Sequence, residues 1–132
     1  MDFEPGKTAL VLARGRAVVG LILVLLPGLA AWLWFGESSA HTRALLRMVG
    51  VRDLVLGVGA LTSVKEHTQD AEWIGMGAVA DAVDGIVTLT MPGMARRGRL
   101  VGPVALGSAV IGIKAARELA DAREAAAVRD AR

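Results

Sequence analysis

WIGMGAVADAVDGIVTLTM, residues 73–91, decides the fold. Trp73 opens it, Pro92-Gly93 closes it, and apart from Asp81 and Asp84 it holds no charge. A run of this length and apolarity reads as a membrane-spanning helix. A charged side chain at the centre of such a helix costs roughly 2.5–3.5 kcal/mol, so it is paired, faces water, or does work. One stretch upstream repeats the pattern: MVGVRDLVLGVGALTSV, residues 48–64, carries Arg52-Asp53 inside a second candidate span.

Working outward, Ala17–Phe35 is a run of 19 residues without a charge. As a helix it would be about 28 Å long, close to one hydrocarbon core. Pro27-Gly28 in its middle predicts a kink, and Trp32, Trp34 and Phe35 mark an interface. The run is too long for a signal-peptide core, and Trp-Leu-Trp-Phe is a poor cleavage site. Met1–Gly6 reads as a short polar tail. Gly36–Arg47 reads as a polar connection in which Ser38 or Ser39 caps a short interfacial helix. The loop KEHTQDAE, 65–72, follows span two, and Arg96, Arg97 and Arg99 make a basic loop before Leu100–Ile113. That last run is short, but Lys114 and Arg117 snorkel and extend it. KAARELADAREAAAVRDAR then continues as a charged helix beyond the bilayer.

The expected fold is therefore all-α: one domain, residues 1–132, forming an integral membrane antiparallel four-helix bundle. Its spans are 17–35, 48–64, 73–91 and 100–116, with a C-terminal helical extension over 114–129. Helices are required because lipid leaves exposed backbone groups unsatisfied. The composition agrees, with 54% hydrophobic residues and 16 glycines in 132 positions. Small residues let membrane helices approach closely, and Gly57, Gly59, Gly75, Gly77 and Gly85 are the expected packing positions.

Cysteine is absent, which excludes disulfides, thiolate metal sites and thiol redox chemistry. His67, Asp70 and Glu72 lack both a specific spacing and a fourth ligand, and neither His41 nor His67 lies within a span, so no metal or haem is expected. No serine has the His/Asp company of a nucleophilic triad. The glycine clusters lack the Lys-Ser/Thr of a phosphate loop. No basic stripe interleaves with aromatics, so no nucleic-acid surface is expected. The predicted catalytic, cofactor and metal residues are none.

The charges inside the spans are the functional lead. Residues three, four and seven apart share a helix face, so Gly77, Asp81, Asp84 and Thr88 form one stripe. Arg52 and Asp84 fall at similar depth on antiparallel neighbours, which predicts a charge-assisted pair with Asp81 one turn deeper. Arg52, Asp53, Asp81, Asp84 and Thr88 are thus the candidate polar network or ligand cavity. One arginine faces three aspartates. Arg14 and Arg16, near the mouth of span one, are candidate partners, although they enter from the side opposite to Arg52.

The runs ALLRMVGVRDLVLGVGALTSV and VADAVDGIVTL resemble a family of small bacterial four-span proteins carried as a domain of unknown function. The resemblance lies in Pro27, in Val49-Gly50-Val51-Arg52-Asp53 with Gly57, and in Asp81 and Asp84, and covers about residues 17–113. More distantly the layout looks DoxX-like. The resemblance implies four spans and the Arg/Asp set, and supplies no activity.

Three functions compete. The first is a non-enzymatic structural or accessory subunit of a membrane complex, with the Arg/Asp network fixing helix packing. The second is a small transporter or a lipid- or quinone-binding bundle built on Asp81, Asp84 and Arg52. The third is a membrane enzyme using the two aspartates as acid and base. Expected partners are the lipid bilayer and a homo-oligomer or larger membrane complex. The expected location is the bacterial inner or plasma membrane, multi-pass. Lys7, Arg14, Arg16, Lys65, Lys114, Arg117, Arg123, Arg129 and Arg132 on one side outnumber Arg43, Arg47, Arg96, Arg97 and Arg99 on the other, which predicts cytoplasmic termini.

Overall fold

A computed structural model describes residues 4–66, 68–92, 94–96 and 98–131. Met1, Asp2 and Phe3 of the expected tail, and His67, Gly93, Arg97 and Arg132, which also enter the expectations above, lie outside the described residues. The described residues are all-α, with five α-helices among them: α1 Pro5–Leu25, α2 Pro27–Phe35, α3 Ala40–Glu66, α4 Asp70–Thr90 and α5 Val101–Asp130. A 3₁₀ turn, Gly98–Leu100, leads into α5.

The first span differs most from expectation. The helix starts at Pro5, not after Arg16, and it ends before Pro27 instead of running through it. Proline suits the first turn of a helix, where its missing N–H costs nothing, so Pro5 starts α1 within the predicted tail. Pro27 ends the helix because it lacks a donor and pushes its predecessor out of the helical region. Leu26 accordingly takes φ −122° and ψ 46°, and Pro27 starts a separate nine-residue helix. The expected kinked span 17–35 is therefore two helices, and the membrane-length one is Pro5–Leu25. Gly36, at φ 81°, closes α2 in the left-handed conformation that glycine adopts freely.

The cap at Ser39 forms: the Thr42 N–H donates to Ser39 Oγ at 3.2 Å. The helix it caps is not a short interfacial one. No Gly-Pro break interrupts ALLRM, so α3 runs unbroken for 27 residues, and the expected span 48–64 is its inner part. Likewise the expected fourth span and tail are one 30-residue helix. Helix α4 matches its prediction to within a few residues, with Met91 held extended before Pro92.

Helix α1 packs chiefly on α3 and α4 chiefly on α5; α3 against α4 and α1 against α5 close the ring. Gly20 abuts Gly50 and Leu54 while Gly57 abuts Ala13 and Ala17, so α1 and α3 are antiparallel. Gly85 meets Gly102 and Gly112 meets Ala78, which makes α4 and α5 antiparallel too. At Gly57 an added Cβ would fall 2.6 Å from the backbone nitrogen of Ala17, so these helices touch backbone to backbone. Gly59, Gly85 and, less tightly, Gly77 are crowded by the side chains of Trp73, Leu106 and Arg16. Gly75 is not a packing glycine: a Cβ there would meet only Ala116, at an ordinary 3.9 Å.

The packing is inverted relative to a water-soluble protein. The buried positions are mostly small, among them Ala9, Ala13, Ala60, Ala78, Ala109 and Ala115. The large aliphatic side chains point out, with Val104 72%, Val11 68% and Met48 68% exposed. A soluble monomer rarely leaves so much contiguous apolar surface bare. Among the described residues, three helical segments are long and apolar enough to cross a membrane: Pro5–Leu25, Asp70–Thr90 and Gly98–Asp130. Helix α3 is long enough, but every stretch of 18 residues within it carries at least three charged residues.

A candidate polar relay and cleft

Five charges meet at mid-height of the helices and form a chain of alternating sign. Asp84 on α4 binds Arg52 on α3 through both oxygens, at 3.0 and 2.5 Å. Arg52 also donates to Asp53 Oδ1 from Nε at 3.2 Å and Nη2 at 3.0 Å. Arg16 on α1 donates to that same oxygen at 3.1 Å. Its other nitrogen, Nη2, lies 2.6 Å from Asp81 Oδ2 on α4 and donates to the Gly77 carbonyl at 2.7 Å. The Ser108 hydroxyl on α5 completes the chain, donating to Asp81 Oδ2 at 2.6 Å. The order is Asp84, Arg52, Asp53, Arg16, Asp81, Ser108, and it touches all four long helices.

Depth follows from helix position. Arg16 is eleven residues after Pro5 and nine before Leu25. Asp81 is eleven after Asp70 and nine before Thr90. Asp53 bisects α3. The middle of the relay is also the driest part: the Asp53 and Arg16 side chains are 9% and 11% exposed, against 35% for Arg52. Gly77 makes the central contact feasible, because a Cβ there would sit 3.0 Å from Arg16 Nε. The guanidinium lies on the bare backbone and takes its carbonyl.

Arg16 thus enters the network from mid-helix, not from the mouth of a span. Entry from the side opposite to Arg52 does not separate the two, because Arg16 lies eleven residues into α1, at mid-height. Arg14 points outward and stays exposed. Thr88 is buried one turn beyond Asp84 and does not line the cleft described below. Asp70 and Glu72 both pair with Arg123 of α5, fastening the start of α4 to the tail helix. Among the described residues no group of three His, Cys, Asp or Glu is placed to hold a metal.

Beside the relay, a cleft of about 400 Å³ opens between α1 and α5. Its walls are largely aliphatic, and Arg16, Asp53, Asp81, Asp84 and Ser108 also line it. Trp34, stacked on Phe35 with ring centroids 5.9 Å apart, lines it as well. On the other side of the Arg16–Asp81 pair, the space is only about 10 Å³, closed by Trp73, Ile74 and Gly112. The Arg16–Asp81 pair is therefore tightly packed on that side and open to the cleft on the other.

Sequence reasoning missed Ser108, Trp34 and the glycines Gly20, Gly50, Gly102 and Gly112. The surplus of aspartate over arginine was the signal for Arg16, and Pro5 was the signal for the helix that carries it. Comparisons with protein-family models, curated proteins and solved structures find no match for this chain.

Proposed function

We propose that this chain is a small multi-pass integral membrane protein of a bacterial inner or plasma membrane, a four-helix bundle of α1, α3, α4 and α5. The observation that carries this reading is the inverted packing, with alanine and glycine inside and large aliphatic side chains outside. Helix α3 joins the spans in this reading because its central charges, Arg52 and Asp53, are satisfied by Arg16 and Asp84 and not by lipid. The relay fixes the register of the helices, and the bundle serves as a structural or accessory subunit of a membrane assembly. The resemblance to small four-span bacterial proteins belongs to the same reading.

The termini face the cytoplasm. With Arg14 and Arg16 drawn into the middle of α1, the terminal side keeps Lys7, Lys65, Lys114, Arg117, Arg123, Arg129 and Arg132 against five arginines opposite. The test is extraction: the chain stays with membranes in alkaline carbonate and leaves them only in detergent. Release by carbonate would end the membrane reading.

A second reading, a bundle that binds a lipid-soluble ligand, has one observation of its own. A cleft of about 400 Å³ falls within the usual size of small-molecule sites and has a few convergent polar groups among apolar walls.

A further inference from the structure

We infer that the cleft between α1 and α5 binds a lipophilic organic monocation, an ammonium or phosphonium with an apolar body, which enters sideways from the bilayer. This rests on the ligand-binding reading above and adds the chemistry of the ligand.

Charge selects a cation. The relay holds three carboxylates and two guanidiniums, so with all five ionised it carries one negative charge in excess. One monovalent cation brings the sum to zero, whereas an anionic headgroup doubles the imbalance. The imbalance faces the cleft: Asp53, Asp81 and Asp84 all line it, but Arg16 lines it and Arg52 does not.

Two oxygens are placed to receive the charge. All the hydrogen bonds to Asp53 end on Oδ1, and the contacts to Asp81 from Arg16 and Ser108 end on Oδ2. The second oxygen of each carboxylate has no hydrogen-bond partner among the described residues. An ion pair in these surroundings is screened far less than one in water.

The walls select a lipophilic body. Val11, Val19, Leu23, Val101 and Val104 flank the approach. A hydrated inorganic cation would shed its water against aliphatic carbon, at a high desolvation cost. An organic cation buries its substituents there instead. Trp34, stacked on Phe35, adds further apolar surface to the wall.

The test uses the full-length chain in a neutral detergent, with labelled tetraphenylphosphonium as the probe and tetraphenylborate as its anionic shape match. Saturable binding of one phosphonium per chain is expected, at least tenfold tighter than the borate. Val104→Trp fills the cleft from its exposed wall without touching the relay, and is expected to weaken binding at least tenfold with an unchanged melting temperature. Asp81→Asn, which removes the excess negative charge, is expected to weaken phosphonium binding and to narrow its preference over the borate. Equal affinity for the two probes, no saturable binding, or normal binding by Val104→Trp overturns the inference. A detergent-dependent, monodisperse, helical protein that fails these tests leaves the membrane reading standing; release by carbonate removes both.

Discussion

Replacing Arg16 with methionine probes the relay at its centre. The side chain keeps an unbranched apolar stem, ends short of the guanidinium position and loses its charge. Three contacts go with it: Asp53 at 3.1 Å, the Gly77 carbonyl at 2.7 Å and Asp81 at 2.6 Å. Asp53 keeps Arg52, but Asp81 keeps only the Ser108 hydroxyl. The excess charge of the relay rises from one negative to two. Removing one partner of a buried pair costs about 3–5 kcal/mol, because the other charge is left uncompensated. Single hydrogen bonds between membrane helices average only about 0.6 kcal/mol, so the charge dominates the loss. The expected destabilisation is therefore about 3 kcal/mol or more, read by unfolding the purified protein from mild detergent with sodium dodecyl sulfate and following helical circular dichroism. Arg16→Met combined with Asp81→Asn should recover about 1–2 kcal/mol of that loss, since the stranded carboxylate is gone. A wild-type unfolding midpoint for Arg16→Met, or a double variant whose losses simply add, would refute the reasoning.

Gly57→Val should cost about 1–3 kcal/mol in the same assay, because its Cβ falls against the backbone of Ala17, which has no room to yield. Gly75→Ala, with only Ala116 nearby, should stay within about 0.5 kcal/mol of wild type. Arg14→Ala should cause no loss of stability, as that side chain is exposed and outside the relay; a loss as large as that of Arg16→Met would mean that the wrong arginine has been assigned. Single cysteines at Ala71 and Ala95, in a chain with none of its own, should react with an impermeant maleimide from opposite sides of the membrane. Labelling of both from one side contradicts the antiparallel bundle.

Local signals in the sequence carried much of this structure. Trp73 and Pro92 bracket α4 closely because both act within a few residues of their position. The depth argument that predicts Arg52 beside Asp84 needs only two neighbouring helices and a short loop, and the two side chains meet with bidentate geometry. The first span was harder to read. A charge-free run looks like a complete span, so Ala17–Phe35 hid the fact that Pro5 begins the helix and Pro27 ends it. Arg16 then looked like an interfacial flank. Its true place depends on carboxylates 37 and 65 residues away, which no local pattern contains. Ser108 was equally hidden, a lone hydroxyl on an apolar helix that matters only because Asp81 faces it. The packing glycines on α1 and α5 needed their partners too: Gly20 and Gly102 are indistinguishable by sequence from Gly75, which packs loosely.

The account depends most on the direction in which the helices face. Spin labels at Val18, Val83 and Val110, exposed on the outer sides of α1, α4 and α5, compared in nanodiscs for collisions with oxygen and with a water-soluble nickel chelate, test that directly. All three labels are predicted to collide with oxygen in strong preference to the chelate, as side chains bathed in lipid do. Ready access of the chelate to all three would mean that these aliphatic faces meet water or another protein, and the bundle would not be the membrane-embedded one described.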